Sequence, residues 1–184
     1  SATAIGVALG SSQAAGYVDP QGRITGWFNE LAFAPVDFSP YAPIEEWSGD
    51  AGCGASYLSQ QCVFRLAPRA GINIPIDLND ADKLKFVQEK LEAGHPGAQK
   101  IWQTMGVYLG YALAHYTDFY QISQVILLGR CTSGSGGEWI LAGARQVLET
   151  EYPELAENMR IHLPDESSRR VGQAIAAASL PEIR

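Results

Sequence analysis

Residues Leu9-Gly10-Ser11-Ser12-Gln13-Ala14-Ala15-Gly16-Tyr17-Val18 set the strongest limit on what this chain can fold into. Ala4 to Leu9 is a short apolar run of the kind a buried strand needs, and Ala14 to Val18 begins a second run that ends at Asp19-Pro20-Gln21-Gly22. The pattern predicts a β-hairpin with its first strand in a sheet core. Its bend is one glycine and two serines. A backbone without a Cβ can approach a ligand closely, and successive N–H groups with serine hydroxyls can point at one anion. The same residues also suit an ordinary hairpin tip, so both readings of Gly10, Ser11 and Ser12 stand at this point.

Ile24 to Asp37 is expected to continue the sheet, followed by the glycine-rich loop Gly49-Asp50-Ala51-Gly52-Cys53-Gly54. A helix capped by Ser56 is predicted next, with Tyr57, Leu58, Cys62, Phe64, Leu66 and Ala67 as its apolar positions and Pro68 and Gly71 as its stop. Leu84, Val87 and Leu91 give Asp80 to Glu92 one apolar helical face, closed by Gly94-His95-Pro96-Gly97. A longer helix is expected from Ala98 to about Tyr120, on the spacing of Ile101, Met105, Tyr108, Leu109, Ala112 and Tyr116. Gly106 and Gly110 within it each cost about 1 kcal/mol of helix propensity, which predicts compensation by tight packing against the sheet. The other reading is a close approach to a second helix or to a nucleotide.

Val125-Ile126-Leu127-Leu128-Gly129 is a fully apolar strand that runs into Arg130-Cys131-Thr132-Ser133-Gly134-Ser135-Gly136-Gly137, with a helix starting near Glu138. A strand, a small polar bend and a helix N-terminus bring backbone donors and the positive end of a helix dipole together, which makes this a second candidate phosphate or nucleotide bend. Neither bend carries the Gly-x-x-x-x-Gly-Lys-Ser/Thr or Gly-x-Gly-x-x-Gly signature.

Composition narrows the function classes. Hydrophobic residues at 46% and charged residues at 18% suit one folded domain. No apolar run reaches the roughly 20 residues that span a bilayer. A net charge of −7, with no basic cluster beyond Arg169-Arg170, argues against direct nucleic-acid contact by this segment. Cys53, Cys62 and Cys131 are an odd set at non-metal spacing, which suits reduced thiols in a cytoplasmic protein. His95 is expected in an exposed turn, His115 in packing and His162 in a short strand after Ile161. No Gly-x-Ser-x-Gly elbow marks a nucleophile. Asp165 and Glu166, ahead of Arg169 and Arg170, suit the start of a helix.

In chain order these segments resemble the carboxyl-terminal lobe of the ROK family, which groups bacterial sugar kinases with sugar-responsive repressors on the actin-like ATPase (ribonuclease H-like) fold. Gly10-Ser11-Ser12 stands where the family has a Gly-Thr-Gly turn on the ATP phosphates. Asn29-Glu30-Leu31-Ala32-Phe33 stands for its sugar-touching Gly-Glu-x-Gly-His. Leu127-Leu128-Gly129-Arg130 with Thr132-Ser133-Gly134 stands for its nucleotide loop, and Arg170 to Ala178 for its last helix.

The resemblance implies an α/β lobe over residues 1–184 with a mixed sheet flanked by helices. It implies Gly10, Ser11, Ser12, Gly129, Thr132, Ser133 and Gly134 at phosphate and nucleotide, Glu30 and Asn29 at sugar, and ATP with Mg2+ as cofactor. Phe33 replaces the family's zinc- and sugar-binding histidine, and Cys53 alone remains of three zinc cysteines, so no structural zinc is expected. Gln60 or Gln61 stands near the family's second sugar-contacting glutamate. No catalytic residue is expected here, because the general-base aspartate belongs to an amino-terminal lobe upstream of the hairpin. The 184 residues are accordingly expected to be one lobe of a longer cytoplasmic sugar kinase, homodimeric, without membrane contact. The alternatives are a non-catalytic sugar-sensing domain of a ROK-type regulator and a ligand-free scaffold lobe.

Overall fold

The computed structural model describes residues 3–24 and 30–164. Four strands, β1 (Ala4–Leu9), β2 (Gln13–Val18), β3 (Gln124–Leu128) and β4 (Arg160–His162), form a mixed sheet in the order β2-β1-β3-β4. The hairpin β1–β2 is antiparallel, whereas β1–β3 and β3–β4 are parallel; β2 returns the chain to the end at which β3 starts, one crossover then carries it past β1 to β3, and a second joins the parallel pair β3–β4. Helices α1 (Gln60–Leu66), α2 (Asp80–Glu92) and α3 (Pro96–Tyr116) lie in the first crossover, and α4 (Gly136–Glu151) and α5 (Pro153–Asn158) in the second. The chain is therefore α/β. No helix among the described residues is long and apolar enough to cross a membrane.

Period-two alternation builds the core. Ile5, Val7 and Leu9 are buried on one side of β1 while Ala4, Gly6 and Ala8 are only partly covered. Register places Tyr17, Ile5, Val125 and Ile161 in one row across all four strands, and Ala15, Val7 and Leu127 in the next. Against these rows pack Trp102, Met105, Leu109 and Leu113 of α3, with Val63 of α1 and Val87 of α2. Each buried side chain of this size contributes about 1.5–3 kcal/mol of transfer free energy. Hydrogen bonds between Thr3 and Ser123 fix where the parallel pair begins: Thr3 N donates to Ser123 Oγ at 3.0 Å and Ser123 Oγ to Thr3 O at 2.8 Å.

Helix limits follow local chemistry. Asn79 caps α2 by accepting from Asp82 N, and His95 caps α3 with Nδ1 accepting from Gly97 N and Ala98 N. His95 is thus a half-buried cap, not an exposed turn residue. The α3 helix stops at Tyr116, short of Tyr120, where Thr117 Oγ1 donates back to Ala114 O at 2.6 Å. Ser59, not Ser56, caps α1. Its Oγ accepts from Gln61 N while donating to Ala55 O at 2.6 Å, and Gly54–Ser56 forms a separate 3-10 turn. The α5 helix was not anticipated from the sequence.

Two expectations need correction. Residues 30–37 add no strand to the sheet: they turn at Leu31–Ala34, and Pro35 makes one isolated bridge to Cys53. Pro35 cannot donate to a ladder. Ile24 does continue the hairpin, through a bridge to Val18. Residues 25–29 and 165–184, with Asn29, the Asp165-Glu166 cap and the final helix, lie outside the described residues.

Second, Gly106 and Gly110 face another helix, not the sheet. A Cβ at Gly106 would lie 2.4 Å from Ile140 O and 3.0 Å from the Gly143 Cα, and one at Gly110 would lie 2.7 Å from the Val147 Cβ. The α3 and α4 backbones touch here, so packing offsets the propensity cost. Gly106→Ala is expected to lower unfolding stability by about 1–2 kcal/mol, overpacking outweighing the gain in helix propensity, as read from urea denaturation. A stabilised variant would show that α4 yields at this crossing.

Candidate functional site

Both candidate bends leave the carboxyl ends of paired parallel strands. Ala8 of β1 sits beside Leu128 of β3, and the next residues begin the two bends. Gly129 has φ +94°, in the left-handed region that glycine tolerates, and a Cβ there would fall 2.4 Å from Leu9 O. The start of the second bend therefore lies against the base of the first.

At the hairpin tip, Gly10 N donates to Ser12 O at 3.0 Å and Gly10 O accepts from Gln60 N at 2.9 Å, which ties the tip to α1. Ser11 and Ser12 are exposed. Among the described residues, their N–H groups and hydroxyls have no hydrogen-bond partner. The tip is thus held by Gly10 and offers free donors from the two serines. Behind it, buried Gln13 donates through Nε2 to Tyr116 Oη at 3.0 Å, fastening β2 to α3. Its Oε1 has no partner among the described residues. Gly54 fits under this amide only because it has no side chain: a Cβ would lie 2.2 Å from Gln13 Oε1 and 2.3 Å from Leu31 O.

The second bend uses part of its donors internally, while the exposed Ser133 hydroxyl and Gly134 N–H have no hydrogen-bond partner among the described residues. Thr132 is fully buried, and its Oγ1 donates to Gly129 O at 2.8 Å; Ser133 N donates to Arg130 O. Gly134 lies against Glu92 at the end of α2, and the Glu92 Oε1 accepts from Ser135 N at 2.8 Å and from Ser135 Oγ at 2.9 Å. Gln88, one turn earlier, donates to Arg130 O at 2.8 Å. The last turn of α2 therefore clamps this bend, and a carboxylate already sits at the start of α4, where the helix dipole favours one.

The structure brings Glu30 to the hairpin. Ser11, Ser12, Gln13, Glu30, Ala32, Phe33, Glu45, Trp47 and Gln61 wall a cavity of about 430 Å³. Ser11 also borders a cavity of about 580 Å³ that contains Ser56, Gln60, Gln61, Arg65 and Lys83. Gly129, Thr132, Ser133 and Gly134 line neither. Glu30 and Phe33 are exposed, and Phe33 N donates to Glu30 O at 3.1 Å, closing the turn that presents both.

Glu45 is the site residue that the sequence did not single out. It is buried, with Oε2 accepting from Ser48 N at 2.6 Å and Trp47 N at 3.0 Å and Oε1 accepting from Gln61 Nε2 at 2.8 Å. The Ser48 N–H above all, with the Gln61 amide and the Trp47 N–H, holds its carboxyl below the ordinary range against the opposing effect of burial. The available signal was Glu45 two residues before Trp47 in a turn-forming stretch, where a carboxylate can cap its own loop. Gln61 is consequently spent on Glu45.

The cysteines supply no chemistry of their own. All three are buried and free, and burial pushes the Cys62 and Cys131 thiols up to about 12, so neither is a thiolate nucleophile. His115 packs edge-on to Phe119 and lies 3.8 Å from Asp118. Among the described residues, no three His, Cys, Asp or Glu side chains are grouped to hold a metal ion.

No family model matches the sequence, and no curated protein matches it. Solved structures do match its fold. The ROK hexokinase from Thermus thermophilus superposes with a TM-score of 0.65 at 16% identity, over 91% of this chain and 53% of that one. A ROK family transcriptional regulator, a homologue of the E. coli MLC protein, gives 0.67 at 17% identity over 89% and 42%. The ROK family glucokinase from Streptomyces griseus, solved with glucose and AMPPNP, gives 0.60 at 19% identity over 88% and 55%. The chain therefore has the fold that these ROK proteins share, a mixed sheet flanked by helices, and it spans about half their length.

Glu45 yields a pH prediction. Its carboxyl is held lower in the folded state than the unfolded value of about 4.3, so its stabilisation is complete above that value and is lost as pH falls through the folded one. Urea unfolding of the wild type and of Glu45→Gln should differ most near neutrality, and the gap should narrow below about pH 4. A gap that is constant with pH would remove the carboxylate from this role.

Proposed function

We propose that this chain is the carboxyl-terminal lobe of a ROK-type sugar kinase, in which an ATP-dependent transfer phosphorylates a hexose or hexose derivative. One observation carries the reading: Ser11 and Ser12, whose donors have no partner among the described residues, line one cavity with Glu30. In the actin-like arrangement, the first would hold the transferring phosphate and the second would accept hydrogen bonds from sugar hydroxyls. The glucokinase neighbour, solved with a sugar and a nucleotide analogue, supports that pairing.

Phosphoryl transfer of this kind depends on positioning and on charge stabilisation more than on covalent chemistry. A hairpin fixed by Gln60, Gln13 and Tyr116 suits positioning, because its donors sit on a sheet edge instead of a long loop. Mg2+ usually binds through few protein ligands and the phosphates themselves, so it would arrive with the nucleotide. Gly129, packed on Leu9, places the second bend beside the hairpin, where Gly129 to Gly134 would flank the nucleotide. Asn29 would join Glu30 at the sugar, and an amino-terminal lobe would supply the general base.

The regulator reading keeps the same pocket but uses sugar binding to change lobe closure. The MLC homologue among the structural neighbours favours it, as does Phe33 in place of the family's histidine.

Purified chain with ATP, magnesium and a panel of hexoses is expected to form no sugar phosphate, because half of the cleft and the base are supplied elsewhere. Turnover would refute the lobe assignment. In the two-lobed protein, Glu30→Ala should weaken sugar binding about 10- to 100-fold, the loss expected of a hydrogen bond to a charged group, and leave nucleotide affinity nearly unchanged. Calorimetry that finds the reverse would reject the role of Glu30.

A further inference from the structure

Phe33 and Trp47 stand on the wall of the Ser11–Ser12–Glu30 cavity with their ring centroids 5.8 Å apart and their planes 32° from parallel. Trp47 is 84% exposed and Phe33 37% exposed. An indole so exposed contributes little to the core, yet its backbone is fixed: Trp47 N donates to buried Glu45, which also accepts from Gln61 on α1. Phe33 is fixed from the other side, since Ala55 N donates to Ala32 O at 2.9 Å and Gly54 N to Ala34 O at 2.9 Å. Two rings from separate, backbone-tethered loops thus neighbour each other on the cavity wall, with the exposed Glu30 and the exposed serines of the hairpin on the same wall. Ligand pockets combine aromatic walls with a few oriented polar groups in this way.

We propose that Trp47 and Phe33 form a stacking platform for the C–H face of a closed pyranose ring whose hydroxyl edge is held by Glu30. The inference rests on the sugar reading above and deepens it by naming the side chains that would set a ring-form sugar apart from an open-chain polyol. A pyranose has a flat face of polarised C–H bonds and an edge of hydroxyls. The electron-rich ring faces attract the first and remove it from water, while the carboxylate accepts hydrogen bonds from the second. In this chain Phe33 does what a histidine could not do by the same means: it adds apolar area to the sugar wall and extends it to Trp47. An acyclic polyol offers the same hydroxyls without the flat face, so it gains from Glu30 but not from the rings.

The test is calorimetric titration of the two-lobed protein with D-glucose, sucrose and N-acetyl-D-mannosamine, with D-glucitol as the acyclic control and adenosine as a flat-ring control. At least one ring sugar is expected to bind, and more tightly than D-glucitol. Trp47→Ala should raise its Kd about tenfold, Phe33→Ala should raise it less, and Trp47→Phe should recover most of the loss. The thermal midpoint of Trp47→Ala should match the wild type, since the side chain is exposed, which separates lost stacking from lost fold. Ring-sugar binding that is equal in the wild type and both alanine variants would overturn the platform and leave the sugar reading intact. Failure of every ring sugar to bind would instead overturn the sugar reading. Weakened adenosine binding with unchanged sugar binding would assign the rings to a nucleobase and overturn the proposal.

Discussion

Parallel pairing of β1 with β3 is the constraint from which the rest of this lobe follows. It joins segments about 120 residues apart, through the register Ala4–Gln124 to Ala8–Leu128 and the Thr3–Ser123 hydrogen bonds at its start. The antiparallel β2 brings the chain back to the end at which β3 starts, and the segment that carries α1, α2 and α3 then crosses from β2 to the other side of β1. Pairing also decides which loops become neighbours. Because both strands end at the same edge, the hairpin tip and the Gly129 bend emerge together, however far apart they lie in the chain.

That edge carries two bends of different character. Among the described residues the Ser11 and Ser12 donors have no partner, and Gly10 with the Ser12 carbonyl makes the turn's own hydrogen bond. The second bend turns its Thr132 hydroxyl inward and its Ser135 donors onto Glu92, leaving Ser133 Oγ and Gly134 N without a partner among the described residues. Composition is nearly the same in the two segments, small residues with serine and glycine, so composition alone could not separate them. What separates them is the neighbour: α1 gives the hairpin a donor, Gln60 N on Gly10 O, whereas α2 gives the second bend an acceptor, Glu92 on Ser135.

Strand and helix identity was legible wherever the apolar pattern was long or regular. The alternation in β1, the unbroken run of β3 and the Leu84, Val87 and Leu91 stripe of α2 all lie where the pattern places them. Legibility failed where a side chain, and not a pattern, makes the decision. Ser56 and Ser59 are equally good caps by residue type, and only the Ala55 carbonyl and Gln61 amide choose Ser59. The partner of Gly106 was misassigned because spacing reports that a close contact exists and not which layer supplies it. Glu30 and the hairpin were legible as separate motifs through their resemblance to ROK segments. Glu45 was not, because its role rests on burial and on three donors, one of them Gln61 of α1.

The carboxylate of Glu92 has a reach beyond its own helix. An anion that drifts toward the first turn of α4 finds the attractive end of that dipole already neutralised by an internal counter-charge, and it must evict Glu92 before it can settle. Any small slip of α2 along its axis would unseat the same oxygen and re-expose that end. The electrostatic character of the second bend is therefore decided some forty residues upstream, by the position at which a neighbouring helix happens to stop.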